Sequence, residues 1–277
     1  MAGPFISFLT DFGTEATAPS VCRGVMLGIA PDARILDLTH AVRPFAVRDG
    51  AFLLWTAVPY LPVGVHLAVV DPGVGTERRG VAIRTGRGDV LVGPDNGLLR
   101  PAAERLGGAV AARELTNRAL WRDTVSHTFH GRDIFAPVAA HLAAGEPFES
   151  AGEALTLDEL VALELPQARV RAGGLDTAVL FIDAFGNCRL AGELADLERA
   201  IGPAEPGRAL RITVAGPDGT PAEYRLTYEP TFGRVEPGTS LVYEDADYAG
   251  LGLAVNQGSA ATRYRLTLDD PVRIEPA

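Results

Sequence analysis

The chain contains no lysine: all 25 of its basic residues are arginine. That absence removes whole classes of chemistry. A phosphate-binding P-loop needs its lysine, a Schiff-base enzyme needs an amine, and a protein kinase needs a strand lysine. The kinase-like strings at Asp11–Gly13 (DFG) and Gly131–Asp133 (GRD) are therefore coincidental. Cysteine is almost as scarce. Cys22 and Cys188 are too few and too isolated for a zinc framework; a disulfide between them stays open, though nothing suggests an oxidising compartment. The five histidines show no HExxH spacing, and no acidic loop has calcium-binding spacing, so no metal is expected. Basic residues form no cluster and the net charge is −10, which argues against a nucleic-acid partner. No apolar run approaches the ~20 residues of a membrane span. The chain opens on a short strand rather than a signal sequence, so a cytoplasmic location is expected.

What is present is an ordinary globular composition, 47% hydrophobic and 22% charged over 277 residues. At about 150 residues per domain this length suggests two domains. In residues 1–165 apolar strands alternate with helical stretches: strands at Phe5–Leu9, Ile35–Leu38, His66–Val70, Val81–Arg84 and Val90–Val92, helices at Val21–Ile29, Ala46–Val58 and Ile134–Ala144. That alternation predicts an α/β domain, a central mostly parallel sheet with flanking helices. The string PQARVRAGG then reads as a linker, and residues 173–277 are rich in strand and turn signals. They predict a smaller all-β, barrel-like domain.

Three apolar runs end in an aspartate beside a glycine. FISFLTDFG carries Asp11, HLAVVDPGVGTERRG carries Asp71, and AVLFIDAFGN carries Asp183. Any one of these alone reads as a turn closing a strand. Three of them, each placing a carboxylate at a strand exit, point to a site, because ligands gather at such edges of open α/β sheets. A further string, TFHGRD, sets His130 just before an apolar helical run. Asp71, Arg78 and His130 together form a carboxylate, a permanent cation and an imidazole, a set suited to preparing water for attack. Arg78 is expected to keep Asp71 ionised and to disfavour protonation of His130. Phe45 could line a pocket but is expected in the core, and PDNG at Pro94–Gly97 is expected to be a tight turn rather than a ligand loop.

TDFG, VVDPGVGTERR, GPDNGLL, TFHGRDIFAPVAAHLAAG, FIDAFGN and AVNQGSAA follow one another across nearly the whole chain. In this order and spacing they resemble the S-adenosyl-L-methionine (SAM) hydroxide adenosyltransferase family, the SAM hydrolases, which are related to the SAM-dependent fluorinase and chlorinase. The resemblance implies hydrolysis of SAM to adenosine and L-methionine, with SAM as substrate and no cofactor. It implies a homotrimer in which SAM lies between one subunit's N-terminal domain and its neighbour's C-terminal domain. It places water activation on Asp71, Arg78 and His130, ribose binding on Asp11, adenine contact on Asn187 with Phe185 and Phe232 stacking, and the methionine amine on Asp183. Ala16, Ala18 and the Asp247–Tyr248 pair depart from the tail-binding residues of the halogenating relatives. A non-catalytic SAM- or adenosine-binding protein is the alternative; a halogenase is disfavoured by Asp71 and His130.

Overall fold

Apolar runs broken by glycine and proline build two units in the computed structural model, Met1–Leu163 and Glu164–Ala277. The structure describes residues 3–216, 219–245 and 250–277; Asp247 and Tyr248 lie outside the described residues. The first unit contains β1 (Phe5–Thr10), α1 (Ala18–Ile29), β2 (Arg34–Thr39), α2 (Val47–Ala57), β3 (Val65–Val69), β4 (Gly80–Thr85) and β5 (Val90–Pro94). It continues through α3 (Arg100–Arg105), β6 (Ala109–Glu114), α4 (Ala136–Ala143) and β7 (Ala154–Leu155). The sheet order is β2-β1-β3-β5-β4-β6-β7. Pairing is parallel from β2 through β5 and antiparallel from β5 through β7.

Residue alternation gives this sheet two buried faces. Ile6, Phe8, Leu67 and Val69 pack in one cluster with Cys22 and Met26 of α1 and Val138 of α4. Leu9, Ala68 and Val70 pack in another with Ala51 and Leu54 of α2 and Ala102 of α3. In α1 the buried residues Pro19, Cys22 and Met26 recur every three or four positions, the spacing of one helix face. The predicted helix over 134–144 forms in two parts. A single π-helical turn, Gly131–Phe135, precedes α4. Such turns are rare and concentrate where a side chain must be re-aimed.

Strand order also fixes where a ligand can sit. β1 leads through α1 to β2 on one side, whereas β3 leads to β4 and β5 on the other. The chain therefore changes direction between the carboxyl ends of β1 and β3, where open sheets leave a crevice. Asp11 follows β1 and Asp71 follows β3 by two residues. Within the sheet, His66 is fully buried and satisfied: its Nδ1 pairs with Ser7 Oγ at 2.8 Å and its Nε2 with Asp89 Oδ1 at 3.0 Å.

The second unit contains β8 (Arg169–Arg171), β9 (Gly174–Ile182), β10 (Cys188–Glu193), α5 (Leu194–Ile201), β11 (Arg208–Ala215), β12 (Pro221–Tyr228), β13 (Ser240–Asp245), β14 (Gly250–Val255), α6 (Ala260–Tyr264) and β15 (Pro271–Pro276). Its strands run β10-β14-β13-β12-β11-β15-β9, and β9 pairs back onto β10, so seven of them close a barrel. β8 adds outside β9. Closure removes the exposed edges that an open sheet would carry. Inward residues such as Leu190, Leu210, Ile212, Leu253 and Ile274 are completely buried. Cys22 and Cys188 are both buried, and burial is the largest influence pushing each thiol up to about 12. Neither is a nucleophile at neutral pH.

Candidate active site

Asp71, Arg78 and His130 meet at the crevice of the α/β unit. Arg78 Nε donates to both carboxylate oxygens of Asp71, at 2.9 and 3.0 Å, and its Nη2 also donates to Oδ2. The same Nη2 lies 3.0 Å from His130 Nδ1. The guanidinium rests on the Phe135 ring, 5.0 Å from its centroid, which fixes the plane of the fork. Its side chain is only 13% exposed and that of Asp71 only 6%, so water screens the pair poorly. Because a guanidinium can only donate, His130 Nδ1 must accept, and a neutral ring then carries its hydrogen on Nε2. Burial first, and Arg78 next, push His130 below the usual imidazole range. Nε2 makes no protein hydrogen bond among the described residues, so it can point a hydrogen at a bound water.

Two loops create this geometry. In the loop after β3, Thr76 Oγ1 donates to Gly73 O at 2.7 Å, and Asn96 Nδ2 of the PDNG turn donates to Val70 O at 2.8 Å. PDNG bends the chain at the end of β5, and Asn96 pins the strand end from which Asp71 emerges. Gly75 has φ +77° and passes so close that a Cβ would strike the His127 carbonyl. This contact docks the Arg78 loop on the His130 loop. The other loop is anchored by Asp133, fully buried, which accepts from Arg122, Arg132 and the Ser126 amide. Arg79, beside Arg78, belongs to the scaffold and pairs with Asp95 at 2.7 Å.

Asp11 lines the same cavity as Asp71 and His130, a space of about 260 Å³. Its Oδ2 accepts from the Phe45 amide at 2.9 Å. Below it, Thr10 Oγ1 pairs with His40 Nδ1 at 2.9 Å and accepts from the Phe12 amide, while Gly13 N donates to His40 O. Phe45 overturns its expected core position: it is 73% exposed, lines the cavity and has φ +66°. A bulky residue in the left-handed region is strained and persists where its surroundings hold it. The pocket wall was the alternative for Phe45 in the sequence, but its strain was not legible there, because positive φ is a property of the folded loop.

The second unit carries its own cavity, about 620 Å³, lined by Phe185, Asn187 and Phe232 together with Val255, Asn256, Gln257, Gly258 and Ser259. Asp183 is not on its wall. One oxygen accepts from the Phe185 and Asn187 amides, each at 2.9 Å, and the other accepts from Asn187 Nδ2 at 2.9 Å. Asp183 therefore shapes the turn that presents Phe185 and Asn187. Asn256, Gln257 and Ser259 belong to AVNQGSAA; their signal was a polar cluster after an apolar strand. Among the described residues no three His, Cys, Asp or Glu side chains gather as a metal site, and no helix is long and apolar enough to cross a membrane.

A doubly faced α/β unit with a carboxylate–guanidinium–imidazole cluster at its switch point, joined to a closed barrel with an aromatic and amide cavity, defines a narrow class. Residues 6–152 match the SAM hydroxide adenosyltransferase N-terminal domain and residues 177–273 its C-terminal domain; the chain belongs to this family. It is 47% identical over 271 residues, 98% of this chain and 97% of the relative, to the (R)-S-adenosyl-L-methionine hydrolase of Salinispora tropica. A fluorinase of Actinopolyspora mzabensis is 30% identical, over 98% of this chain and 97% of its own length. The crystal structure of an uncharacterized conserved protein from Thermotoga maritima superposes with TM-score 0.89 at 35% identity, covering 97% and 99% of the two chains.

Proposed function

We propose that this protein hydrolyses S-adenosyl-L-methionine to adenosine and L-methionine. The observation that carries the reading is the Asp71–Arg78–His130 cluster facing a cavity that also holds Asp11. Water attacks C5′ of SAM; the O–C5′ bond forms as the C5′–S bond breaks, and its electron pair passes to sulfur. The departing thioether is neutral, so the reaction needs neither a general acid nor a Lewis acid. It needs a nucleophile, because neutral water attacks carbon poorly. Asp71 accepts the proton that water loses, while His130 Nε2–H and Arg78 hold water and carboxylate in one arrangement.

In this reading Asp11 binds the ribose. Asn187 contacts adenine, with Phe185 and Phe232 as stacking surfaces, and Asp183 reaches the methionine amine through whatever capacity its internal bonds leave. The α/β unit supplies water activation and the barrel supplies base recognition. No cofactor is required, the functional unit is a homotrimer and the location is cytoplasmic. The test is incubation of purified protein with SAM in ¹⁸O-labelled water, followed by chromatography and mass spectrometry. Adenosine carrying ¹⁸O at its 5′-hydroxyl, together with methionine, is expected. SAM bound and returned intact would make the protein a binder rather than a hydrolase. Activity abolished by EDTA and restored by zinc or magnesium would overturn the metal-free reading.

A further inference from the structure

His130 lines a second cavity of the α/β unit, about 340 Å³, which it shares with Arg78 but not with Asp71 or Asp11. The reacting cluster thus stands between two spaces, with the carboxylate on one wall, the guanidinium on the other and the imidazole on both. The spaces differ in charge. The first is lined by Asp11 and Asp71 and by no arginine. The second is lined by Arg78, Arg79 and Arg118 against a single carboxylate, Glu114. Its walls come from the start of β4, the end of β6, the segment through Trp121, and Ile134 of the π-helical turn. Trp121 lines this cavity, and its buried indole N–H has no partner among the described residues. A buried donor of this kind is ordinarily satisfied by water.

We propose that this second cavity is the passage through which water reaches Asp71 and His130 while the substrate fills the first. The inference rests on the hydrolysis reading. SAM carries a sulfonium cation, which Asp11 on the first cavity attracts and Arg118 on the second repels, Arg78 and Arg79 being paired with Asp71 and Asp95; neutral water is indifferent to the difference. Charge therefore sorts the two reactants to opposite sides of the cluster. With substrate in the first cavity, a separate passage lets each turnover be supplied without substrate leaving. The proton passed to Asp71 returns to solvent through the first cavity, which Asp71 lines, once the products have left.

The passage can be plugged at its rim, where Thr116 and Arg118 are exposed and neither belongs to the reacting cluster. Thr116→Trp and Arg118→Trp each fill the space from a different wall. Thr116→Val is the control, because it loses the bond that Thr116 Oγ1 accepts from the Glu153 amide without adding bulk. Either tryptophan should lower kcat on the order of tenfold and leave KM and the calorimetric Kd for SAM within about twofold, with Thr116→Val near wild type. Two tryptophan variants that fold, by unchanged thermal unfolding, and turn over at the wild-type rate would overturn the passage. So would a rise in Kd that parallels the loss of kcat, since the cavity would then seat substrate. Wild-type protein that yields no adenosine from SAM would reject the hydrolysis reading itself, a result separate from any of these.

Discussion

The cavity of the α/β unit and the cavity of the barrel are built in opposite ways. In the first, charged side chains hold one another: Arg78 spans Asp71 and His130, and removing one member leaves the others buried and mispaired. In the second, one aspartate outside the cavity wall holds the backbone turn, and the groups presented to the cavity are aromatic faces and amides. A cluster of buried charges tolerates little change because each group's state depends on its neighbours. A stacking surface varies more gently, because its contribution scales with area. The first design suits bond making and the second suits holding a flat base.

The comparison breaks most sharply at Asp71. Asp71→Asn preserves shape and removes the charge that takes up the proton, so turnover should fall on the order of 10²-fold or more. Adenosine affinity, read by calorimetry, should persist because the barrel cavity is untouched. Near-wild-type hydrolysis by this variant would leave alignment and desolvation as the whole of the catalysis. In the barrel, Asp183→Ala frees the Phe185 and Asn187 turn. KM for SAM should rise on the order of tenfold with kcat at saturation largely kept, a split expected when uniform binding is lost. A fall in kcat with KM unchanged would mean that Asp183 acts on the reacting centre.

Phe45→Gly probes the strained residue between these extremes. A left-handed side chain costs about 1–2 kcal/mol and a glycine costs about 0.5–1 kcal/mol in chain entropy, so the two nearly offset. Tm should hold or rise slightly while KM increases several-fold; a clear drop in Tm would restore Phe45 to a packing role. The smallest effect concerns pH. Burial and Arg78 lower the His130 pKa, so the ring stays neutral to a lower pH than an ordinary imidazole. Activity should therefore persist through pH 6.5 and fail only at lower pH. Arg78→Met removes the second of those two influences and should move the acid limb of the pH–rate profile upward; an unmoved limb would assign it to another group.

Much of this was legible in the residues. Val21–Ile29 and Ala46–Val58 became α1 and α2 with shifts of at most three residues at their ends, because their apolar spacing and flanking proline are local signals. Each Asp that ended an apolar run does stand at a strand exit. The split of the α/β sheet into parallel and antiparallel halves was not legible, because pairing direction is a long-range choice that strand sequences of like composition do not encode. Nor was the two-part helix at Gly131–Ala143, where the π turn answers to packing around Phe135 and Arg78.

The sequence by itself determined the strand and helix periods, the exclusion of lysine chemistry, and which residue types were available to act on water. Those are local or compositional properties, complete before the chain folds. Only the tertiary structure decided that Arg78 would serve Asp71 and His130 at once. It also turned Asp183 inward to hold its own turn, brought Phe45 to the surface at positive φ, and set His130 between two cavities of opposite charge. Each of these depends on the distance between residues far apart in the chain, and that distance exists only after the sheet has chosen its order and the loops at its carboxyl edge have closed on one another.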